Sequence, residues 1–302
     1  MGFEVLSGGI FTTVQDLGRF GSMHLGVAQS GVMDEYAYRW SQKLLNDQNS
    51  NALEIMAGVK LKATLPTQIS LCGADLEFKL NGIPQPIWQT YMIQAGDILS
   101  FDRRISGERV YLSVKGGFAV EKKRGSYSTT LREGIGSRVQ KGDLLPFDPH
   151  SSTHAIFRVK ESYIPDYRES ISLRILLSYQ EEYFSLEERE EFFSSSYEVT
   201  LQSDRMGYRL KGPPIAPTQG GIISEAIAFG SVQIPKDGVP IVLLKERQTI
   251  GGYPKIGTIL PIDCFWLAQV SIGSSVKFEP IGIEQAQEEM MAFYKSFALS
   301  YE

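Results

Sequence analysis

The polar residues best suited to chemistry crowd into Lys245, Glu246, Arg247 and Gln248, followed by Thr249, Ile250, Gly251, Gly252, Tyr253 and Pro254. They come directly after the apolar run Pro240-Ile241-Val242-Leu243-Leu244, with no alternation that would give them one solvent face. Glycines lack a Cβ and let backbone N–H groups approach a ligand closely. A strand end carrying cations and an amide, ahead of paired glycines, can hold an anion or a developing oxyanion. The plainer alternative over residues 245–262 is a hairpin whose glycines supply positive φ, with residues 256–262 resuming an apolar strand pattern. Local chemistry alone favours the hairpin, because glycine turns far outnumber active sites.

Three other groups are candidates. Arg205 and Arg209 flank Gly207-Tyr208, a pattern suited to bidentate recognition of a carboxylate or phosphate. Solvated strand charges are the alternative. Glu225 and Gln233 bracket an apolar, glycine-containing segment and fit a general base and an orienting amide. Ser126-Tyr127-Ser128-Thr129-Thr130 follows Gly125 and offers hydroxyls to a substrate or to its own turn. A nucleophilic serine would need a G-x-S-x-G strand–turn–helix setting, which is missing. His150 and His154 have the spacing of two metal ligands on a helix, but Pro149 and the intervening Ser-Ser-Thr read as loop, so no metal is expected. His24, in a glycine-rich stretch, reads as structural. Neither G-x-x-x-x-G-K-[ST] nor G-x-G-x-x-G after a strand is present, so a standard nucleotide fold is not expected.

These groups need a scaffold, and the 302 residues, 42% hydrophobic, can build one large domain or two ordinary ones. A net charge of −5 argues against a general nucleic-acid or anionic-membrane surface. No apolar run approaches a membrane span and no signal peptide is visible. Cys72 and Cys264 sit far apart in apolar contexts and read as reduced thiols. The expectation is a soluble, cytoplasmic protein.

A helix is expected from Met33-Asp34 to Asn46-Asp47, with Tyr36, Trp40 and Leu44 on one face beside Ala37 and Leu45. Residues 52–148 read as short strands, and Asn81-Gly82 marks a hairpin. One unit recurs: residues 93–101 (IQAGDILSF), 139–147 (VQKGDLLPF) and, more weakly, 270–278 (VSIGSSVKF) each place a polar glycine turn ahead of a strand. Residues 149–172 read as a linker. Ser185-Leu186-Glu187-Glu188 is a capping-box signature opening a short helix. Strands resume over 197–279, and a last helix spans about 284–299 with Ala286, Met290, Phe293, Tyr294 and Phe297 on its apolar face. The fold class is mainly β with a few helices, without βαβ alternation. Its lobes divide as 1–155 and 156–302.

Taken together, these stretches resemble a known family. Its N-terminal signature matches Thr12-Thr13-Val14-Gln15-Asp16-Leu17-Gly18-Arg19, His24-Leu25-Gly26-Val27, Ser30-Gly31-Val32-Met33-Asp34 and Ala52-Leu53-Glu54-Ile55. Its middle matches Tyr111-Leu112-Ser113-Val114-Lys115-Gly116-Gly117 and Gly125 to Thr129. Its C-terminal half matches residues 203–212, Val232-Gln233-Ile234-Pro235, 238–243 and 247–256. The family is the C subunit of bacterial 5-oxoprolinase, also described as KipA-like, allophanate hydrolase subunit 2-related and biotin-dependent carboxyltransferase-like. The resemblance implies two cyclophilin-like β-barrel lobes. It also implies two partners, the KipI-like B and the A subunits of 5-oxoprolinase, with ATP-dependent opening of 5-oxoproline to glutamate. The ATP site would lie on a partner or be shared with one.

The expected catalytic residues are Arg247 and Gln248, inside the matched motifs, and Glu225, read from its local setting. Arg205, Tyr208, Arg209, Ser126, Ser128, Gln233, Thr249, Gly251, Gly252 and Tyr253 would bind substrate, with the arginines and glycine amides around an anionic phosphorylated tetrahedral species. Three departures stand out: Ile250 where a second Thr is usual, Glu246 where Asp is common, and Tyr127 where Arg often stands. The alternatives are a carboxyltransferase-like subunit or a non-catalytic antagonist of a kinase inhibitor. The first would require a separate biotin carrier, because no Met-Lys-Met attachment motif occurs here.

Overall fold

The computed structural model describes residues 1–48, 50–150, 155–168, 170–218 and 220–297. The chain is mainly β and divides into two compact units, Met1–Phe20 with Ser30–Arg168, and Gly21–Gln29 with Glu169–Glu302.

Unit 1 contains β1 (Gly2–Gly8), β2 (Thr12–Gln15), α1 (Glu35–Leu44), β3 (Ala52–Ile55), β4 (Val59–Ala63), β5 (Thr67–Asp75), β6 (Phe78–Leu80), β7 (Ile83–Pro84), β8 (Gln89–Ile93), β9 (Ile98–Phe101), β10 (Ser106–Val114) and β11 (Leu144–Pro146). They form a six-stranded sheet, β11-β1-β4-β9-β6-β7, and a five-stranded sheet, β2-β3-β10-β5-β8. Alternation drives the packing. In β4, Val59, Leu61 and Ala63 are buried while Lys60 and Lys62 face out. The inward residues share one core with Ile69, Leu71, Leu112 and Val114 of the other sheet.

Asp34 caps α1 by accepting from Ala37 N at 3.0 Å. The helix face buried deepest is Ala37, Tyr38, Ser41 and Gln42, not the expected Tyr36–Trp40–Leu44 stripe, which packs only partly buried. Two polar residues survive there because Ser41 and Gln42 both hydrogen-bond Ser113, at 2.8 and 2.7 Å. The segment expected as a linker also belongs to unit 1 through Arg168. Val159 joins the core beneath α1, and Tyr167 donates to Asp34 Oδ2 at 2.8 Å.

Unit 2 contains β12 (Ile171–Leu177), α2 (Leu186–Ser194), β13 (Ser196–Ser203), β14 (Gly207–Lys211), β15 (Glu225–Ala226), β16 (Ser231–Gln233), β17 (Ile241–Leu243), β18 (Ile250–Gly251), β19 (Lys255–Ile259), α3 (Pro261–Leu267), β20 (Ser275–Pro280) and α4 (Ile283–Ser296). Seven strands close a barrel in the order β12-β19-β16-β17-β14-β13-β20. The expected barrel is thus a closed ring in unit 2 and a pair of facing sheets in unit 1. The parallel pair β12–β20 completes the ring, and β15–β18 forms a separate two-stranded ribbon.

The hairpin expected over 245–262 does not form. Ile250–Gly251 pairs with Glu225–Ala226, and β19 pairs with β12 and β16. From Pro261 the apolar run continues as α3, with Pro at its first turn. That run is apolar apart from Asp263 and too short for periodicity to distinguish helix from strand.

The recurrent nine-residue unit is one local structure used three times. Its glycines, Gly96, Gly142 and Gly273, all have positive φ, at 96°, 92° and 86°. The residues after them donate three positions back: Asp97 N to Gln94 O, Asp143 N to Gln140 O, and Ser274 N to Ser271 O, each at 3.1 Å. Each turn then feeds a strand: β9, β11 or β20.

Candidate functional site

Arg247 owes its place to a tight turn after β17. Leu244 N donates to Met206 O at 2.8 Å, Glu246 N to Arg205 O at 2.8 Å, and Arg247 N back to Leu244 O at 3.2 Å. The turn sends Lys245 and Arg247 inward, 4% and 5% exposed, and leaves Gln248 exposed. Lys245 Nζ lies 4.6 Å from the Phe229 ring centre and 5.5 Å from that of Phe265.

The Arg247 guanidinium donates from Nε to Ile227 O at 3.0 Å and from Nη1 to Leu244 O at 3.2 Å. Its Nη2 lies 3.4 Å from Gln29 Oε1 and 3.9 Å from Met23 Sδ. Among the described residues no carboxylate pairs with it. Burial lowers its pKa to about 10, which still leaves it charged at neutral pH. A buried cation without a counter-charge is costly, so a site of this kind is built for something other than stability.

Gln233 is also buried. The side chain is 1% exposed and its Nε2 has no hydrogen-bond partner among the described residues. Gly251 explains where that amide points. Neither Gly251 nor Gly252 has positive φ, so the turn role expected for them is not the reason for glycine here. A Cβ at 251 would lie 2.5 Å from Ile227 Cδ1, 2.6 Å from Gln233 Nε2 and 3.1 Å from Gln248 Nε2. Only glycine lets the two carboxamides converge. Buried Arg247 donates to Ile227 O, and buried Gln233 and exposed Gln248 bring their amides to Gly251 beside the Ile227 side chain, a grouping of donors that suits an anionic or carbonyl oxygen.

Glu225 does not have the properties of a general base. Its carboxylate accepts from Gln180 Nε2 at 2.8 Å, from Lys255 Nζ and from the Tyr179 hydroxyl. These bonds, Lys255 first and Tyr179 next, hold its pKa below the usual carboxylate range. A base near neutrality would need the opposite shift. Gln180 Oε1 also accepts from Lys255 N at 2.8 Å, so the group pins the ribbon bearing Gly251 to β19.

Arg205 and Arg209 are both engaged elsewhere. Arg205 Nε donates to Glu246 Oε1 at 2.5 Å, and Arg209 pairs with Asp237. Glu246, the departure from the usual Asp, is therefore the arginine's partner. Tyr208 is buried on β14 opposite Val242, Thr249 O accepts from Ile227 N at 3.3 Å, and Tyr253 is 40% exposed.

Ser126 and Ser128 belong to unit 1, and their hydroxyls are occupied by Asp16. The Asp16 carboxylate accepts from Ser126 Oγ at 2.6 Å, Ser128 Oγ at 2.5 Å, Tyr127 N at 2.8 Å and Gly18 N at 2.8 Å. The bonds from Ser126, Tyr127 and Ser128 are tertiary, to a residue 110–112 positions away, neither the local turn chemistry nor the substrate contacts expected. His154 lies outside the described residues. Sequence reasoning missed Lys255, Tyr179, Gln180 and Gln29 as site residues. Lys255 sat inside a quoted motif, but no local pattern marked the other three.

With this geometry in place, comparison with known proteins is decisive. Residues 25–280 match the family described as carboxyltransferase domain, subdomain A and B. The chain belongs to this family. Within it, the chain is 37% identical to the 5-oxoprolinase C subunit of Haemophilus influenzae, covering 91% of this chain and 89% of that protein. It is 32% identical to the 5-oxoprolinase C subunit of Escherichia coli, over 98% and 97%. Among solved structures, the K. lactis urea amidolyase superposes at a TM-score of 0.90 with 26% identity, covering all of this chain and 20% of that one. TTHA0988 superposes at 0.85 with 30% identity, over 92% of this chain and 55% of the other. The chain therefore spans about half of one solved relative and a fifth of the other.

Proposed function

We propose that this chain is the C subunit of an ATP-dependent 5-oxoprolinase, an amidohydrolase that opens 5-oxoproline to glutamate in the cytoplasm together with its KipI-like B and its A subunits. The observation that carries the reading is the convergence of a buried, uncompensated Arg247 with the unpartnered Gln233 amide beside Gly251. Activation of the lactam carbonyl by ATP, followed by water attack, builds negative charge on a tetrahedral oxygen. Preorganised donors in a dry setting are what stabilises such a centre. Arg247 and Gln233 supply the buried donors, and Gln248 closes the outer side. Glu225, fixed by Lys255, Tyr179 and Gln180, positions the ribbon and takes no proton. ATP binds on a partner or at a shared site.

A second reading rests on one observation. A putative urea carboxylase of Emericella nidulans is 30% identical over 96% of this chain. In that reading the same donors hold a carboxyl group brought by a separate biotin carrier.

Reconstitution separates the two. The three subunits with ATP and 5-oxoproline are expected to release glutamate, and omission of this chain is expected to stop it. Glutamate release that persists without this chain removes the first reading. Labelled carbonate passing from carboxybiotin to a small acceptor establishes the second.

A further inference from the structure

Unit 1 carries a second, unrelated concentration of charge. At the C-terminal end of α1 lies a cleft of about 370 Å³, lined by Lys43, Asn46, Gln68, Lys115, Phe157 and Arg158 together with Leu44 and Leu45. Among the described residues that line it, three are cations and none is a carboxylate, in a chain whose net charge is −5. Like charges gathered around a concave surface raise the local concentration of anions.

Part of the charge has a structural role. Lys115 Nζ donates to Leu45 O at 2.7 Å and Asn46 O at 3.1 Å, capping the last turn of α1. That fixes the ammonium in place and leaves one of its three N–H donors for a ligand. Arg158 has no such role. Its backbone is tied to the edge strand β8 through the Gln89–Arg158 bridge, with Val159 N donating to Trp88 O at 2.9 Å. Its side chain makes no ion pair among the described residues. A fixed ammonium and an uncommitted guanidinium fork across one cleft, with Phe157 50% exposed between polar walls, match a compact oxyanion of high charge.

We infer that this cleft binds a phosphate-bearing small molecule, independently of the 5-oxoprolinase reading. Lys115 and the Arg158 fork hold the phosphate oxygens, Lys43 adds charge at the rim, and the Gln68 and Asn46 amides supply the remaining polar contacts.

Calorimetric titration of the intact protein at low ionic strength tests this. Inorganic phosphate, pyrophosphate and a nucleoside triphosphate form separate arms that distinguish the sources of the phosphate. Saturable binding of one equivalent is expected in at least one arm, weakening with added salt because the cleft is open to solvent. The double variant Lys43→Ser/Arg158→Ser alters two exposed side chains and spares the cap. It is expected to weaken that binding about tenfold or more, at an unchanged unfolding temperature. Absence of saturable binding in all three arms, or equal affinity in the double variant, overturns the inference.

Discussion

Asp16 in unit 1 and Arg247 in unit 2 are charges set into folded protein and met in opposite ways. Asp16 accepts from two serine hydroxyls and two backbone N–H groups, which approach a carboxylate's capacity. Arg247 receives two backbone carbonyls and a distant amide oxygen, and no carboxylate among the described residues. Gln233 Nε2 likewise has no hydrogen-bond partner among the described residues. The saturated cluster has nothing left to offer a ligand, so it holds strands and loops together. The unsaturated one carries an energetic cost that a bound oxygen would relieve. Residue type alone did not separate them, since both clusters belong to motifs that resemble the same family.

The sharpest break of this comparison is Arg247→Met. Activity of the reconstituted complex is expected to fall by about 10²–10³-fold, the scale of losing a preorganised oxyanion donor. Stability should change by only about 1 kcal/mol in denaturant unfolding, because relief of a desolvated charge offsets two carbonyls left unpaired. Loss of several kcal/mol would make Arg247 a structural residue. High pH acts on the same charge. With its pKa depressed to about 10 in the folded state, Arg247 binds its proton less tightly than in the unfolded chain, so its penalty is fully present below that value. It is relieved as pH rises above about 10. The gain in stability above pH 10 should therefore be smaller in Arg247→Met than in wild type.

Asp16→Ala inverts the pattern. Four donors lose one acceptor, and a stability loss of roughly 2–4 kcal/mol is expected by denaturant unfolding. The folded fraction should keep its specific activity. A still smaller effect attends Gly251→Ala, whose Cβ must displace Gln233 Nε2 and Ile227 Cδ1. Overpacking of this kind costs about 1–3 kcal/mol, and here it should also raise KM.

Glu225→Gln gives the smallest change and tests the positioning role. The folded pKa of Glu225 is depressed, so its contribution is present above the ordinary carboxylate range and is lost as pH falls through the folded value. Unfolding measured from neutral to acid pH should show a slightly flatter profile in the variant. An acidic limb of the activity profile that vanishes in Glu225→Gln would restore it as a base.

Local features were the legible part of this chain. Asn81 and Gly82, with φ of 53° and 78°, make the two-residue hairpin turn that their identity foretells. Asp34 and Ser185 cap their helices through contacts only three residues away. The three glycine turns read correctly for the same reason. What was not legible depended on partners remote in sequence. Arg205 and Arg209 looked like ligand forks until Glu246 and Asp237, 41 and 28 residues away, proved to hold them. Glu225 looked like a base until Lys255 reached it across 30 residues. Conversely, the weight of Gln233 comes from a missing partner, which no sequence pattern displays.

Gln233→Leu tests the central claim most directly, because it removes the unpartnered amide with little change of shape. Glutamate release by the complex should fall at least about 100-fold, while the unfolding temperature of this chain stays equal or rises, since an orphaned buried donor has been replaced by an apolar group. Wild-type turnover in that variant would contradict the account.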